Sequence, residues 1–253
     1  MTIERLVVNK AEYSFEPAYF EHIARYRFAR ESIEKSAKVL DAACGTGYGS
    51  HLLARKFRKV HGIDISKEAI DHCKRNFRRD GLLYHVMNTE DLSFDDGEFD
   101  AVVSFETIEH LERPAKYLDE LSRVLKSAGT LIVSTPVKGV YEQTFLGDNP
   151  YHLHEMSIAE FQAELSVRFS IQGLFGQTYL SHMRASEEKL ERNAVYKGSV
   201  VFLVKSLLRK HMFSNPLMYP AFLALSRKCR ENKVVPYIEG GAYKLITAMC
   251  TKR

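Results

Sequence analysis

A chain of 253 residues with 45% hydrophobic content has enough apolar side chain for one full-sized α/β core with an insertion, which excludes a disordered protein and a disulfide-dependent miniprotein. A formal charge of +4, from 36 basic and 32 acidic residues, gives no reason to expect a nucleic-acid partner. Cys44, Cys73, Cys229 and Cys250 are scattered without a Cys-x-x-Cys pair, so neither a disulfide framework nor a cysteine zinc site is expected.

Met1-Thr2-Ile3-Glu4-Arg5 has an early acid and no long apolar core, so no signal peptide is predicted. The apolar run Val200–Val204 stops at Lys205, far short of the roughly 20 residues that cross a bilayer. The expected location is cytoplasmic, with room for peripheral contact at the inner membrane face.

In chain order, Pro17–Ile33 reads as a helix within an N-terminal segment, residues 1–36, and carries Glu21-His22-x-x-Arg25-Tyr26. Val39-Leu40-Asp41-Ala42 then reads as a strand that runs into Ala43-Cys44-Gly45-Thr46-Gly47-Tyr48-Gly49 and a helix. Glycines at alternate positions permit a tight turn whose backbone lies against a ligand, with the helix amides above the strand end. A dinucleotide fold would instead space them Gly-x-Gly-x-x-Gly.

The stretch resembles motif I of class I S-adenosylmethionine (SAM) dependent methyltransferases, in its Asp-x-x-Cys-Gly-Thr-Gly form. Ala43 stands where that family often has its first glycine, and its small side chain is expected to leave the loop intact. The resemblance assigns Asp41, Ala43, Cys44, Gly45, Thr46 and Gly47 to the cofactor, and it makes the preceding helix a lid. Arg25 is then expected to meet the methionine carboxylate with two donors, against the plain alternative of a solvated arginine.

Lys59–Ser66 gives a second strand, ending in Asp64 roughly 20 residues past the glycine turn, where a carboxylate accepts ribose hydroxyls. Ile65 follows it in the cofactor set, and Ser66 caps the next helix. Leu82–Met87 is a third strand leading into Asn88-Thr89-Glu90-Asp91-Leu92-Ser93-Phe94, similar to the family's Gly-Asp-Ala-Glu-Asp-Leu-Pro-Phe. Asn88 replaces the usual aspartate, keeping an acceptor oxygen for the adenine amino group, with the Thr89 amide as second contact. Phe99–Leu111 is the fourth strand and its turn, similar to the family's Phe-Asp-x-Val-x-x-x-Glu-x-x-Glu-His, which puts Phe105 and Glu106 at the methyl-donor end.

Tyr117–Lys126 is an amphipathic helix closed by Ser127-Ala128-Gly129, and Thr130–Thr135 the fifth strand. After it, Asn149-Pro150-Tyr151-His152-Leu153-His154-Glu155 precedes a helix marked by the capping box Ser157/Glu160. His110, His152 and His154 are the candidate general bases. The alternative for the loop pair is loop-pinning hydrogen bonds. No metal is expected, because no third ligand is evident beyond Glu155.

Arg168–Gln177 and Gly241–Thr251 complete an expected Rossmann-like, seven-stranded, doubly wound α/β sheet whose last strand is antiparallel. Residues 180–239 form an insertion in a single domain spanning 1–253. Its apolar runs capped by lysine and arginine read as a substrate cap, a homodimer contact, a membrane-surface helix pair or a plain helical subdomain.

The resemblance implies methyl transfer from SAM to a hydroxyl or amine of a small molecule, giving S-adenosylhomocysteine. Glu-His-x-x-Arg-Tyr resembles the N-terminal segment of bacterial methyltransferases found with glycan-assembly enzymes, and that resemblance, with Asn-Pro-Tyr-His-x-His-Glu, implies a sugar or glycan acceptor, nucleotide-linked or lipid-linked. The alternatives are a quinone- or phenol-type O-methyltransferase and an inactive SAM-binding partner or sensor subunit.

Overall fold

The computed structural model describes residues 17–139, 151–177, 234–239 and 243–253. Eight strands form one sheet: β1 (Lys38–Ala42), β2 (Lys59–Asp64), β3 (Leu82–Val86), β4 (Phe99–Phe105), β5 (Leu125–Pro136), β6 (Phe169–Gln177), β7 (Val235–Pro236) and β8 (Leu245–Lys252). Their spatial order is β3-β2-β1-β4-β5-β8-β6-β7. Pairing is parallel from β3 to β5, and β8 runs antiparallel to both β5 and β6. The seven expected strands are therefore present, and β7 is a two-residue addition on the edge of β6. Most of the expected insertion, together with residues 1–16 and Asn149-Pro150, lies outside the described residues.

The helices are α1 (Pro17–Ser32), α2 (Tyr48–Leu53), α3 (Lys67–Asn76), α4 (Pro114–Val124) and α5 (Ile158–Ser166). A strand exposes alternate side chains to opposite faces, so a sheet apolar on both faces needs cover on both. Val39, Val60, Val103 and Ile132 pack with Ala29 and Ile33 of α1, Leu53 of α2 and Ile70 of α3. Leu40, Val102, Leu131 and Val133 pack with Leu118 and Leu121 of α4 and Phe161 and Leu165 of α5. Every one of these side chains is buried.

One boundary departs from expectation. Helix α4 ends at Val124, and β5 begins at Leu125, where the sequence placed the end of the helix and a turn. Leu125 is fully buried and pairs with Phe99, so packing takes it into the sheet. Ala128 keeps the turn character within that extended segment, at φ 59°. No helix among the described residues is long and apolar enough to cross a membrane.

β1 has β2 on one side and β4 on the other, so the connections from β1 and β4 diverge. Such a switch point opens a crevice at the carboxyl ends of the two strands. Both the glycine turn and the Glu106–His110 turn lie there.

Candidate functional site

The chain leaves β1 through Ala43 at φ 65°, Gly45 at φ 54° and Gly47 at φ 85°. Ala43 sustains the loop as expected, although a side chain in the left-handed region costs about 1–2 kcal/mol. Gly47 has no room for a side chain either, since a Cβ would lie 2.5 Å from Cys73 Sγ. The loop is tied down by its own backbone: Cys44 N donates to Ile63 O at 2.7 Å and Gly45 N to Asp64 Oδ2 at 3.0 Å. Asp64 Oδ1 accepts from Ser66 N at 2.9 Å. One carboxylate at the tip of β2 thus joins the glycine turn to the start of α3. Cys44, Thr46 and Gly47 are buried, whereas Ala43 and Gly45 stay partly accessible.

Asp41 departs from its expected place among the cofactor contacts. It is fully buried, accepting from Ser50 Oγ at 2.6 Å and from Tyr26 Oη at 3.1 Å. Burial pushes its carboxyl up to about 7, against the lowering effect of the Ser50 and Tyr26 hydroxyls. It acts on the loop from beneath, holding α1 and α2 to the strand. The Tyr26 ring lies so close over Gly49 that a Cβ there would sit 1.9 Å from Tyr26 Cζ.

At the tip of β2, Ile65 is 57% exposed and offers an apolar wall beside Asp64. Thr89 is buried. Asn88 Oδ1, expected to accept from adenine, accepts from Glu90 N at 3.0 Å, so part of its acceptor capacity closes its own turn.

At the tip of β4, Phe105 is buried and Glu106 adopts φ 53°. Glu106 Oε1 accepts from Ser134 Oγ at 2.8 Å, while Glu106 N donates to Ser134 O at 3.2 Å. Arg25 is not the solvated arginine of the alternative reading, because it is fully buried. Its Nη1 donates to Gln177 Oε1 at 2.7 Å, and its Nη2 lies 4.0 Å from Glu106 Oε1. The guanidinium carbon is 5.9 Å from the centre of the Phe105 ring. Nε and Nη2 have no hydrogen-bond partner, and these two atoms form the edge that matches a carboxylate.

Ile108–His110 forms a 3₁₀ turn after β4. Its Glu109 carbonyl accepts from Leu153 N at 2.8 Å and from His154 N at 3.0 Å, and His110 Nδ1 lies 2.8 Å from Tyr151 O. A carbonyl only accepts, so Nδ1 carries the proton and Nε2 is the lone-pair atom of neutral His110. The same logic holds for His152, whose Nδ1 is 2.6 Å from Glu155 Oε1. The His110 and His152 rings meet edge-on, with centres 5.0 Å apart. The structure brings these two histidines together but not His154, which is exposed and joins through its backbone amide.

Glu109 is the member that the sequence did not single out. Its side chain is fully buried, with Oε2 accepting from Thr135 Oγ1 at 3.3 Å. Oε1 has no hydrogen-bond partner and lies 3.8 Å from His110 Nε2. Burial, and then the neighbouring Glu106, hold this carboxyl well above the usual carboxylate range. Its place in Glu106-x-x-Glu109-His110 was the available signal, since a 3₁₀ turn brings residues three apart to the same side.

The family described as "Methyltransferase domain" matches residues 40–133. A Mycolicibacterium smegmatis protein named as a probable S-adenosylmethionine-dependent methyltransferase is 34% identical over 142 residues, which cover 54% of either chain. The mitochondrial ubiquinone biosynthesis O-methyltransferase of Saccharomyces cerevisiae is 30% identical over 183 residues, covering 62% of this chain and 59% of that one. This chain therefore spans little more than half the length of these relatives. Among solved structures, a SAM-dependent methyltransferase of Thermotoga maritima aligns with a TM-score of 0.58 at 15% identity, over 94% of this chain and 92% of that one. At that identity the likeness is one of fold.

Proposed function

We infer that this chain is a class I SAM-dependent methyltransferase that transfers a methyl group to a hydroxyl oxygen of a small molecule, a reading supported by the family match, the relatives and the fold. The observation that carries the reading is the pairing, at one switch point, of the glycine turn with the His110/His152/Glu109 group. The residues suit the cofactor. The turn is closed to side chains at Gly47, the Asp64 carboxylate stands beside it, and Arg25 presents a two-donor edge without hydrogen-bond partners, suited to the methionine carboxylate. Ile65, Asn88 and Thr89 are the adenine-side residues, and Phe105 and Glu106 stand at the donor end.

When bound, SAM supplies a sulfonium methyl group whose transfer to an acceptor oxygen yields S-adenosylhomocysteine and a proton. The chain's own task is to position the hydroxyl and draw that proton away. His110 does so through Nε2, the ring atom that carries the lone pair of the neutral tautomer whose Nδ1–H donates to the Tyr151 carbonyl. Fixed approach supplies the larger part of the rate.

Glycan hydroxyls are the acceptors favoured by the Glu21–Tyr26 and Tyr151–Glu155 segments. A second reading, a phenolic acceptor, is favoured by the ubiquinone-biosynthesis relative, and a phenol, with a pKa near 10, ionises far more readily than a sugar hydroxyl. The test is transfer of isotopic methyl from SAM across nucleotide sugars, lipid-linked sugars and polyprenyl phenols. Turnover on sugars alone upholds the glycan reading, and turnover on phenols alone replaces it with the second. Tight SAM binding without turnover on any hydroxyl in the panel would overturn the methyl-transfer reading in favour of a binding subunit.

A further inference from the structure

We propose that Glu109, His110 and His152 form a binding site for a divalent transition-metal ion of the zinc class at the acceptor end of the crevice. One ligand atom from each of the three lies within 4.8 Å of the other two. Two imidazoles and one carboxylate are a donor set that suits zinc, iron, cobalt or manganese and leaves coordination positions for an oxygen ligand. The inference rests on the methyltransferase reading only for its consequence, because the site itself is argued from its side chains.

Three features distinguish this group from a chance meeting of polar residues. Each histidine has its Nδ1 on a hydrogen-bond acceptor, Tyr151 O at 2.8 Å for His110 and Glu155 Oε1 at 2.6 Å for His152. That is the arrangement by which metal-ligating histidines are oriented. Next, Glu109 is fully buried with Oε1 unpartnered, 3.8 Å from His110 Nε2. A buried acceptor left without a partner keeps its desolvation cost unrecovered, and a cation would satisfy it. Finally, the loop bearing His152 is clamped to the turn bearing the other two ligands by Leu153 N and His154 N on Glu109 O, at 2.8 and 3.0 Å.

Ligands on tetrahedral zinc stand about 3.3 Å apart, from bonds of about 2.0 Å. Loading therefore draws the group together by an ångström or so from its present 4.8 Å span. Glu155, the residue that the sequence offered as a ligand, takes the orienting role behind His152 instead. With the ion in place, an acceptor hydroxyl in the open position is stabilised as its anion and its proton passes to solvent. The ion thus takes over from the His110 Nε2 lone pair.

The experiment is titration of the chelator-stripped 253-residue chain with Co²⁺, read by visible d–d absorption and by calorimetric competition with Zn²⁺, with SAM binding measured on the same samples. One equivalent of Co²⁺, displaced by Zn²⁺ and unaffected by SAM-site occupancy, is expected. Glu109→Gln and His152→Gln should each weaken binding at least 100-fold, and Glu155→Gln about 10-fold as an outer partner, all with SAM affinity unchanged. Glu109→Gln keeps the volume of the buried side chain, and His152→Gln lies on a loop, so a folding failure in the first does not remove the second. Absence of stoichiometric Co²⁺ binding to protein that binds SAM would overturn the proposal, as would binding that survives both first-ligand variants intact. Co²⁺ bound as described by protein that fails to bind SAM would support the site and overturn the methyltransferase reading.

Discussion

The two ends of the crevice are built on different terms. At the cofactor end the polar groups of the glycine turn are answered by near neighbours, Asp64 taking Gly45 N and Ser66 N and Cys44 N finding the neighbouring strand, while Arg25 keeps Nε and Nη2 without a hydrogen-bond partner. At the acceptor end the groups come from segments far apart in sequence, as in the contact of His110 with Tyr151 across 41 positions, and Glu109 Oε1 is left unanswered. A site satisfied within itself binds a constant ligand without rearrangement. A site with unsatisfied buried donors and acceptors stores interaction for what arrives last.

The comparison is broken most sharply at the acceptor end. His110→Ala should lower kcat by about 100- to 10,000-fold while leaving SAM affinity within twofold. Isothermal titration and single-turnover rates separate the two quantities, and wild-type turnover in the variant would remove His110 from the proton path. At the cofactor end the largest effect is steric. Gly49→Ala drives a methyl group into the Tyr26 ring, 1.9 Å from Cζ, and pushes that ring off Asp41. A loss of about 1–3 kcal/mol in denaturant stability is expected, and an unchanged midpoint would mean that the ring does not rest there.

Asp64→Ala removes the carboxylate that joins the turn to α3 and, in the proposed function, accepts the ribose hydroxyls. SAM affinity should fall about 10- to 100-fold, the worth of hydrogen bonds to a charged group, with turnover at saturating SAM much less affected. Ser157→Ala sharpens the contrast, because it removes the capping box of α5, with Glu160 N on Ser157 Oγ at 3.3 Å, yet touches neither end. About 1 kcal/mol of stability should be lost, with SAM affinity unchanged.

The smallest effect is one of pH. Burial, with Lys38 next, lowers His61 from its ordinary 6.5 to about 4, and burial lowers its partner His85 as well. The unfolded chain then binds more protons below 6.5, so the contribution to stability is complete above about pH 6.5 and fades as pH falls towards 4. Melting temperatures recorded across that interval should slope less in His61→Gln than in wild type. An identical slope would show that the pair titrates normally.

What could be read directly were features whose geometry is local. The alternating glycines, the acid at the end of β2 and the Ser157/Glu160 cap depend on a few neighbouring φ/ψ angles, and they formed where the spacing placed them. Apolar runs likewise marked the strands, because a strand covered on both faces presents apolar side chains in succession.

Tertiary structure decided which of two equivalent side chains serves. His152 and His154 are alike in sequence, but two successive amides turn around one carbonyl, Glu109 O, so that only the first ring reaches His110. Arg25 could have been solvated, and its burial came from Gln177 on β6, 152 positions away. Asp41 looked like a ligand contact until Tyr26 and Ser50 closed over both its oxygens. Glu109 gained its importance only from a buried oxygen with no partner, a property of packing that no spacing of residues along the chain encodes.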